Sequence, residues 1–145
     1  MELVDFLRAR LDEDEAIARV LLDDKRPGRA ERWEFCDDGA IRDTGRSKAL
    51  RVKFTWPPEA EHIIRHDPAR VLAEVEAKRD LLAAILAEPH ATLRPGGSTA
   101  IYCAADSDLG EPCECGRDVR AIQYVRLLAS PYRDHPDFDP AWLED

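Results

Sequence analysis

Residues 67–89, with the sequence DPARVLAEVEAKRDLLAAILAEP, contain the strongest structural signal in the chain. Asp67 can accept a hydrogen bond as an N-cap residue, and Pro68 suits the first helical position, where an amide hydrogen would have no partner. Apolar residues then recur at three- and four-residue intervals until Pro89 stops the pattern. The stretch therefore predicts a long helix from Pro68 to about Glu88. Its predicted inner side comprises Val71, Val75, Lys78, Leu82, Ile85 and Leu86.

Three other segments predict helices from the same spacing of apolar residues. The first runs from about Glu2 to Leu22. A short helix is predicted over residues 58–66, after a Trp-Pro-Pro sequence, and a last helix is predicted to end before Pro131. The apolar stripe predicted for the first helix comprises Leu3, Phe6, Leu7, Leu11, Ile17, Val20 and Leu21.

Residues 32–54 change to the two-residue alternation that is typical of strands. Apolar and polar residues alternate over 33–35, and Asp38–Gly39 provides a tight turn before the next predicted strand. A second alternation at residues 50–54 predicts a third strand, whose apolar side chains are expected to face the helices. Residues 99–103 predict a fourth strand.

These elements together predict one α+β domain over residues 1–145, with three main helices packed on a small antiparallel sheet. The C-terminal segment 131–142 contains three prolines and three aromatic residues, Tyr132, Phe138 and Trp142. Disordered tails rarely keep aromatic residues, so we expect an ordered, extended tail that these side chains pin to the domain.

The composition limits the classes of partner. The 145 residues are 44% hydrophobic and 35% charged, with a net charge of -9 at pH 7. Clustered Lys and Arg are needed to bind phosphate backbones, so a nucleic-acid-binding domain is disfavoured. The inner leaflet of a membrane is itself anionic, which disfavours peripheral membrane binding. The acidity favours solubility or a basic partner.

No feature of the sequence predicts export. Residues 1–10 carry four charged residues and are not followed by the apolar core of a signal peptide. The longest apolar stretch, Leu81 to Ala87, is too short to span a membrane. We therefore expect a cytoplasmic protein, whose four cysteines stay reduced instead of forming disulfides.

The predicted strand region is also the most basic part of the chain. In a regular strand, Arg51 and Lys53 would point away from Leu50, Val52 and Phe54 and face solvent. Such a charged outer face protects a strand edge, and it is alternatively an interaction patch. The candidate interaction residues are Arg42, Arg46, Lys48, Arg51 and Lys53.

Three cysteines and one histidine in the second half of the chain are candidate zinc ligands. A structural zinc needs four thiolate or imidazole ligands in a closed tetrahedron. The alternative is three reduced thiols in a loop and a strand, because Cys-x-Cys spacing is less typical of zinc than Cys-x-x-Cys. Cys36, in the predicted hairpin, is expected to be a small buried apolar residue. The candidate metal ligands are Cys103, Cys113, Cys115 and His90.

His62 and His66 are four residues apart and would share one face of a helix, as metal-binding histidines do. No glutamate follows His62 in the zinc-protease position, so that mechanism is unsupported. A carboxylate and imidazole cluster forms if the C-terminal tail packs beside this helix, and it could bind metal or act in acid–base catalysis. The members of this possible polar cluster are His62, His66, Asp67, Asp134 and His135.

Three blocks of the sequence resemble a known family. They are LRARLDEDE at residues 7–15, HIIRHDPARVL at 62–72 followed by EVEAKR at 74–79, and VRLLASPYRDHPD at 125–137. Their order resembles an uncharacterised family of small acidic proteins of actinobacteria and their phages, a domain of unknown function with family number 6221. The resemblance implies an actinobacterial or phage cytoplasm and no assigned activity. It also implies extra cysteines between the second long helix and the last one, and a cysteine just ahead of the RLLA string, where this sequence has Ile122. That departure weakens a metal site carried over from the family.

The motifs of nucleophilic catalysis and phosphate binding are missing from the sequence. It contains no Gly-x-Ser-x-Gly, and no glycine-rich loop opens a predicted helix. We therefore favour a non-enzymatic protein-interaction protein, with an unknown partner protein or a second copy of itself. One alternative is a metal-binding protein, either zinc-stapled through the cysteines or a histidine-centred metal-dependent hydrolase. The other, resting on charge alone, is an acidic decoy of a nucleic-acid-binding protein. No cofactor other than zinc is expected.

Overall fold

The structure is a computed structural model that describes residues 2–22, 30, 32–93, 100–102 and 115–143. Within these residues it has four α-helices and five short strands, an α+β fold, which confirms the predicted fold class. The helices are α1 (Leu3–Val20), α2 (Pro57–Arg65), α3 (Pro68–Ala87) and α4 (Arg117–Ala129). The strands are β1 (Trp33–Phe35), β2 (Ile41–Asp43), β3 (Leu50–Val52), β4 (Ala91–Leu93) and β5 (Ala100–Tyr102).

The strands form two antiparallel sheets. One has the order β1-β2-β3, and the tight turn predicted between its first two strands is present, with Gly39 at φ +76°. The other sheet pairs β4 with β5. The fourth predicted strand therefore exists as β5, whereas β4, its partner, was not predicted.

The chain divides into two compact units, each of which is described by itself. The central unit comprises residues 9–78, and the terminal unit comprises residues 1–8 together with 79–145. The single domain expected over residues 1–145 stays a prediction. Among the described residues, no helix combines the length and the apolar character that crossing a membrane requires.

Asp67 joins a helix to a strand in the central unit. Its side chain is 3% exposed, and Oδ1 accepts a hydrogen bond from the amide of Arg70 at 3.0 Å. Oδ2 accepts a second hydrogen bond from the amide of Trp33, at 3.2 Å. The predicted N-cap role is confirmed, and the same carboxylate also ties the start of α3 to the start of β1. The buried apolar residues of this unit include Leu11, Ala18, Ala40, Ile41, Ala60 and Val75.

The apolar stripe predicted for α1 is half wrong. Its N-terminal members are buried as far as Leu11, but Ile17 and Val20 are 62% and 70% exposed. The buried residue of the later turns is Ala18, which lies two helical turns after Leu11. A small residue thus continues the inner face, and the larger side chains on either side of it point outward.

Aromatic residues from both ends of the chain meet in the terminal unit. The ring of Phe6 contacts those of Phe138 and Trp142, with centroids 5.5 Å and 5.1 Å away. The pinned tail is thus present, but it is not extended. It forms two 3-10 turns, Ser130–Tyr132 and Pro140–Leu143, because the local backbone hydrogen bonds coil the chain. The other buried residues here include Leu82, Ile85, Ala121, Val125 and Ala129.

Candidate functional site

Strand β3 carries an irregularity of register that reverses its predicted orientation. Arg42 pairs with Leu50 and Ile41 pairs with Val52, so Arg51 is the extra residue of a β-bulge. An inserted residue shifts the alternation of side chains by one position. As a result Leu50 is 49% exposed, whereas the side chain of Arg51 is only 8% exposed. The prediction that Arg51 faces solvent and Leu50 faces the core is therefore wrong.

The inward-facing arginine is paired with a buried carboxylate. Asp43 is fully buried, and its Oδ2 accepts a hydrogen bond from Nη2 of Arg51 at 3.1 Å. Oδ1 of Asp43 accepts the amide hydrogen of Gly45, also at 3.1 Å. The guanidinium carbon of Arg51 lies 5.6 Å from the ring centroid of Trp33. Each group compensates the desolvation of the other, so removing either one would leave an uncompensated buried charge.

Beyond the bulge, the chain presents two aromatic side chains to solvent. Phe54 is 79% exposed and Trp56 is 77% exposed. Leu50 is also exposed, and we call these three side chains, which lie within seven residues of the chain, the aromatic surface (Leu50, Phe54 and Trp56). Phe54 has φ +56°, a left-handed conformation that is uncommon for a residue other than glycine and costs about 1–3 kcal/mol. Strained backbone conformations of this kind are common at binding and catalytic sites.

The loop that carries these aromatic residues is fixed at both ends. The amide of Thr55 donates a hydrogen bond to the carbonyl oxygen of Gly39, at 2.9 Å, and so joins the loop to the β1–β2 turn. Helix α2 starts directly after Trp56, with Pro57 and Pro58 in its first turn. Because proline fixes φ, the loop has little conformational freedom to lose when it binds.

Most of the five predicted interaction cations have partners within the hairpin. Arg42 donates two hydrogen bonds of 2.8 Å to the carboxylate of Asp38, and this contact lowers the pKa of Asp38. Lys48 pairs with Glu34, whose hydrogen bond raises the pKa of the lysine.

The other cations are placed differently. The side chain of Arg51 is mostly shielded from solvent, Lys53 Nζ lies 5.4 Å from the ring centroid of Phe54, and Arg46 is exposed. The role of the five cations as an interaction patch stays a prediction. Cys36, in the same hairpin, is a free thiol that is half-buried and not buried as expected.

Two of the four predicted zinc ligands lie side by side in the terminal unit. Sγ of Cys115 is 3.7 Å from Nδ1 of His90. Nε2 of His90 is 3.4 Å from Oδ1 of Asp118. Cys103 and Cys113 lie outside the described residues. Within the residues that are described, no group of three or more potential ligands could hold a metal ion.

A clamp that joins α3 to α4 lies beside the contact between His90 and Cys115. Nε of Arg117 donates a hydrogen bond to the carbonyl oxygen of Glu88 at 2.9 Å, and Nη2 donates to those of Ile85 and Leu86. Leu86 belongs to the last turn of α3, whose carbonyls have no partner within the helix. The last turn of α3 contains no basic residue, and Arg117 supplies the missing charge from another helix.

Arg120 extends this clamp to the loop that carries Cys115. Its Nη2 lies 2.8 Å from Oε1 of Glu88, and this hydrogen bond raises the pKa of Arg120. Its Nη1 donates to the carbonyl oxygen of Cys115 at 3.1 Å. Gly116, at φ +70°, then provides the left-handed turn into α4. Sequence reasoning missed this clamp, and its one local signal was the absence of a basic residue in the last turn of α3.

The five members of the possible polar cluster lie in different units. His62 and His66 are exposed in the central unit, with ring centroids 4.8 Å apart, and Asp67 is the N-cap of α3. In the terminal unit, the amide of Asp137 donates a hydrogen bond to Nδ1 of His135 at 3.1 Å. His135 packs on Phe6, and Asp134 is exposed. A cluster of all five stays a prediction.

Comparisons with known proteins identify the family of this chain. No curated protein and no solved structure matches it. A family model described as a family of unknown function, DUF6221, matches residues 1–144. The match extends the resemblance noted in three blocks of sequence to nearly the whole chain, and the chain therefore belongs to the DUF6221 family, whose function is unknown.

Proposed function

We propose that this chain is a non-enzymatic protein-interaction protein of an actinobacterial or phage cytoplasm, and that it binds its partner through the aromatic surface. The observation that carries the proposal is the outward orientation of Leu50, Phe54 and Trp56 on a rigid support. Exposed aromatic groups of this kind are the residue types that dominate the binding energy of protein interfaces.

The outward orientation of these side chains lowers the stability of the fold. A regular β3 would bury Leu50 and expose Arg51, whereas the bulge buries the charge and exposes the apolar side chain. Phe54 adds the cost of its left-handed backbone. Departures from the expected pattern are typical of functional sites, where binding compensates for lost stability.

The charges around the aromatic surface indicate the chemistry of the partner. Glu59 and Glu61 are exposed on α2, within five residues of Trp56. Asp37 is exposed in the turn that ends at Gly39, and the carbonyl oxygen of Gly39 accepts the hydrogen bond from Thr55 in the aromatic loop. An apolar pocket with a rim of Lys and Arg would complement this arrangement.

The charges of the chain also argue against two other kinds of partner, a second copy of the chain and a nucleic acid. Two copies of the chain would repel each other, because each has a net charge of -9. A nucleic acid would need several free cations, but three of the five in this region, Arg42, Lys48 and Arg51, are already paired with carboxylates. We therefore infer that the partner is a different protein.

Comparative capture tests this proposal. Wild-type chain, a Phe54→Ser/Trp56→Ser variant and a Leu127→Ser control are each immobilised and exposed to an actinobacterial lysate. Leu127 is 68% exposed and lies in α4, so the control removes an apolar side chain from a different helix. We expect one protein that the wild type and the control retain, that the double variant loses, and that added salt releases. Recovery of the same proteins with all three baits would contradict the proposal.

A second candidate function, metal binding, is favoured by the contact between Cys115 and His90. Thiolate and imidazole are the ligands that zinc prefers in structural sites. Ala91 pairs with Tyr102 in the β4–β5 sheet. In the sequence, His90 directly precedes Ala91 and Cys103 directly follows Tyr102. Cys113 is two residues from Cys115 in the chain. Both cysteines are therefore close in sequence to residues at or beside the described contact.

Elemental analysis of untagged protein tests the metal proposal. We expect about one zinc per chain, and three thiols that become reactive only after a chelator removes the metal. Cys115→Ser or His90→Gln should abolish stoichiometric zinc, whereas Cys36→Ser should leave it unchanged. Metal-free protein with four reactive thiols would reject the zinc site, and would leave the interaction proposal untouched.

A further inference from the structure

We propose that His62 and His66 form a surface chelate for a divalent transition-metal ion of the Zn²⁺, Ni²⁺ or Cu²⁺ type. The site lies in the central unit and shares no residue with the cysteine site or with the aromatic surface. It goes beyond the proposed function and does not depend on it.

The backbone at the end of α2 holds the two rings together. His66 is the C-cap residue, and its amide donates to the carbonyl oxygens of His62 at 3.3 Å and Ile63 at 3.2 Å. The ring centroids are 4.8 Å apart and the ring planes are inclined by 46°. Histidines one helical turn apart are the arrangement with which helices bind zinc, because both imidazoles reach the same side.

Both imidazoles are available to a ligand. Each residue is exposed, and no hydrogen bond or ion pair joins either ring to another described residue; the nearby charge of Glu74, which Arg70 pairs, also acts on His66. Neutral imidazole presents a nitrogen lone pair, and it is a ligand that suits zinc, copper and nickel. Calcium and magnesium prefer oxygen ligands and are not expected to bind.

The neighbouring carboxylates define the coordination number. Asp67 is adjacent to His66, but both of its oxygens already accept amide hydrogens from Arg70 and Trp33. Asp14 lines the same cavity of about 240 Å³ as His66, and its negative charge favours a cation nearby. No set of three ligands exists in the described residues, so the two histidines bind the ion and water completes its shell.

Zinc titration of ¹⁵N-labelled, untagged protein at neutral pH, read from the imidazole nitrogen signals, tests this chelate. The signals of His62 and His66 should shift together and saturate with one common affinity. His62→Gln should weaken the affinity at His66 by at least about tenfold, because changes beyond the direct ligands already cost 10–100-fold. His62 is exposed, so this variant should fold, and circular dichroism verifies that it does.

A matched variant separates the geometry of the pair from the number of histidines. His62→Gln/Arg65→His keeps two histidines but makes them adjacent, and neighbouring positions on a helix do not face each other. It should bind zinc as weakly as His62→Gln alone. Wild-type affinity in this variant would overturn the proposal. So would a titration in which the signals of His62 and His66 do not move, or move with different affinities.

Discussion

Replacing Arg51 with methionine should lower the free energy of unfolding by about 3–5 kcal/mol, the usual effect of breaking a buried ion pair. The substitution keeps an unbranched apolar side chain and removes the guanidinium, so the fully buried carboxylate of Asp43 loses its cation. Urea denaturation followed by tryptophan fluorescence measures the change, because Trp33 lies beside the guanidinium. A loss of this size is a large part of the stability of a small protein.

Two further variants identify the cause of this loss. Arg46→Met removes the same charge from an exposed position of the same hairpin, and should change the stability by no more than about 0.5 kcal/mol. Asp43→Asn/Arg51→Met removes both charges and keeps an acceptor for the amide of Gly45, so it should be more stable than Arg51→Met alone. If Arg51→Met behaved like Arg46→Met, Arg51 would not be buried and the bulge would be wrong.

Replacing Trp56 with alanine should weaken binding of the partner protein by at least about 2 kcal/mol, or about 30-fold. An exposed aromatic side chain on a rigid loop gains most of its buried area on binding and pays little conformational entropy. The same exposure means that the free protein loses little, so its stability should change by no more than about 0.5 kcal/mol. Isothermal titration calorimetry and urea denaturation measure the two quantities.

Leu127→Ala is the matched control for this binding measurement. Leu127 is similarly exposed but lies in α4, outside the aromatic surface. It should leave the affinity unchanged within about twofold, since most surface contacts contribute little. Equal losses from Trp56→Ala and Leu127→Ala would show that binding is non-specific.

Local signals were sufficient for the elements of the central unit but not for the orientation of β3. Asp67 and Pro68 act within one turn of helix, and their predicted roles at the start of α3 are found in the structure. The alternation Leu-Arg-Val-Lys-Phe is compatible with either face pointing inward. The bulge depends on the contact between Arg51 and Asp43, eight residues earlier, and nothing in the local pattern indicates it.

The arrangement of the candidate metal ligands was likewise predictable from the sequence only in part. Residue types and spacing were enough to place His90 and Cys115 in one set, and the structure brings these two within contact. Beside this contact, Arg117 binds the end of α3 from 29 residues further along the chain. An arginine that caps a helix belonging to another segment has no periodicity or spacing that a single sequence reveals. The family, in contrast, was recognisable because its motifs are short continuous strings.

Site-specific photo-crosslinking from position 56 tests the central claim most directly. A benzophenone-bearing phenylalanine, which keeps a large aromatic side chain for binding, replaces Trp56 in one protein and the exposed Glu76 of α3 in a control, and both are irradiated in actinobacterial cells. We predict a single crosslink to a different protein from position 56 and none from position 76. The crosslinked peptide of that partner should line an apolar pocket rimmed by Lys and Arg. No adduct from position 56, or adducts only between copies of this chain, would contradict the account.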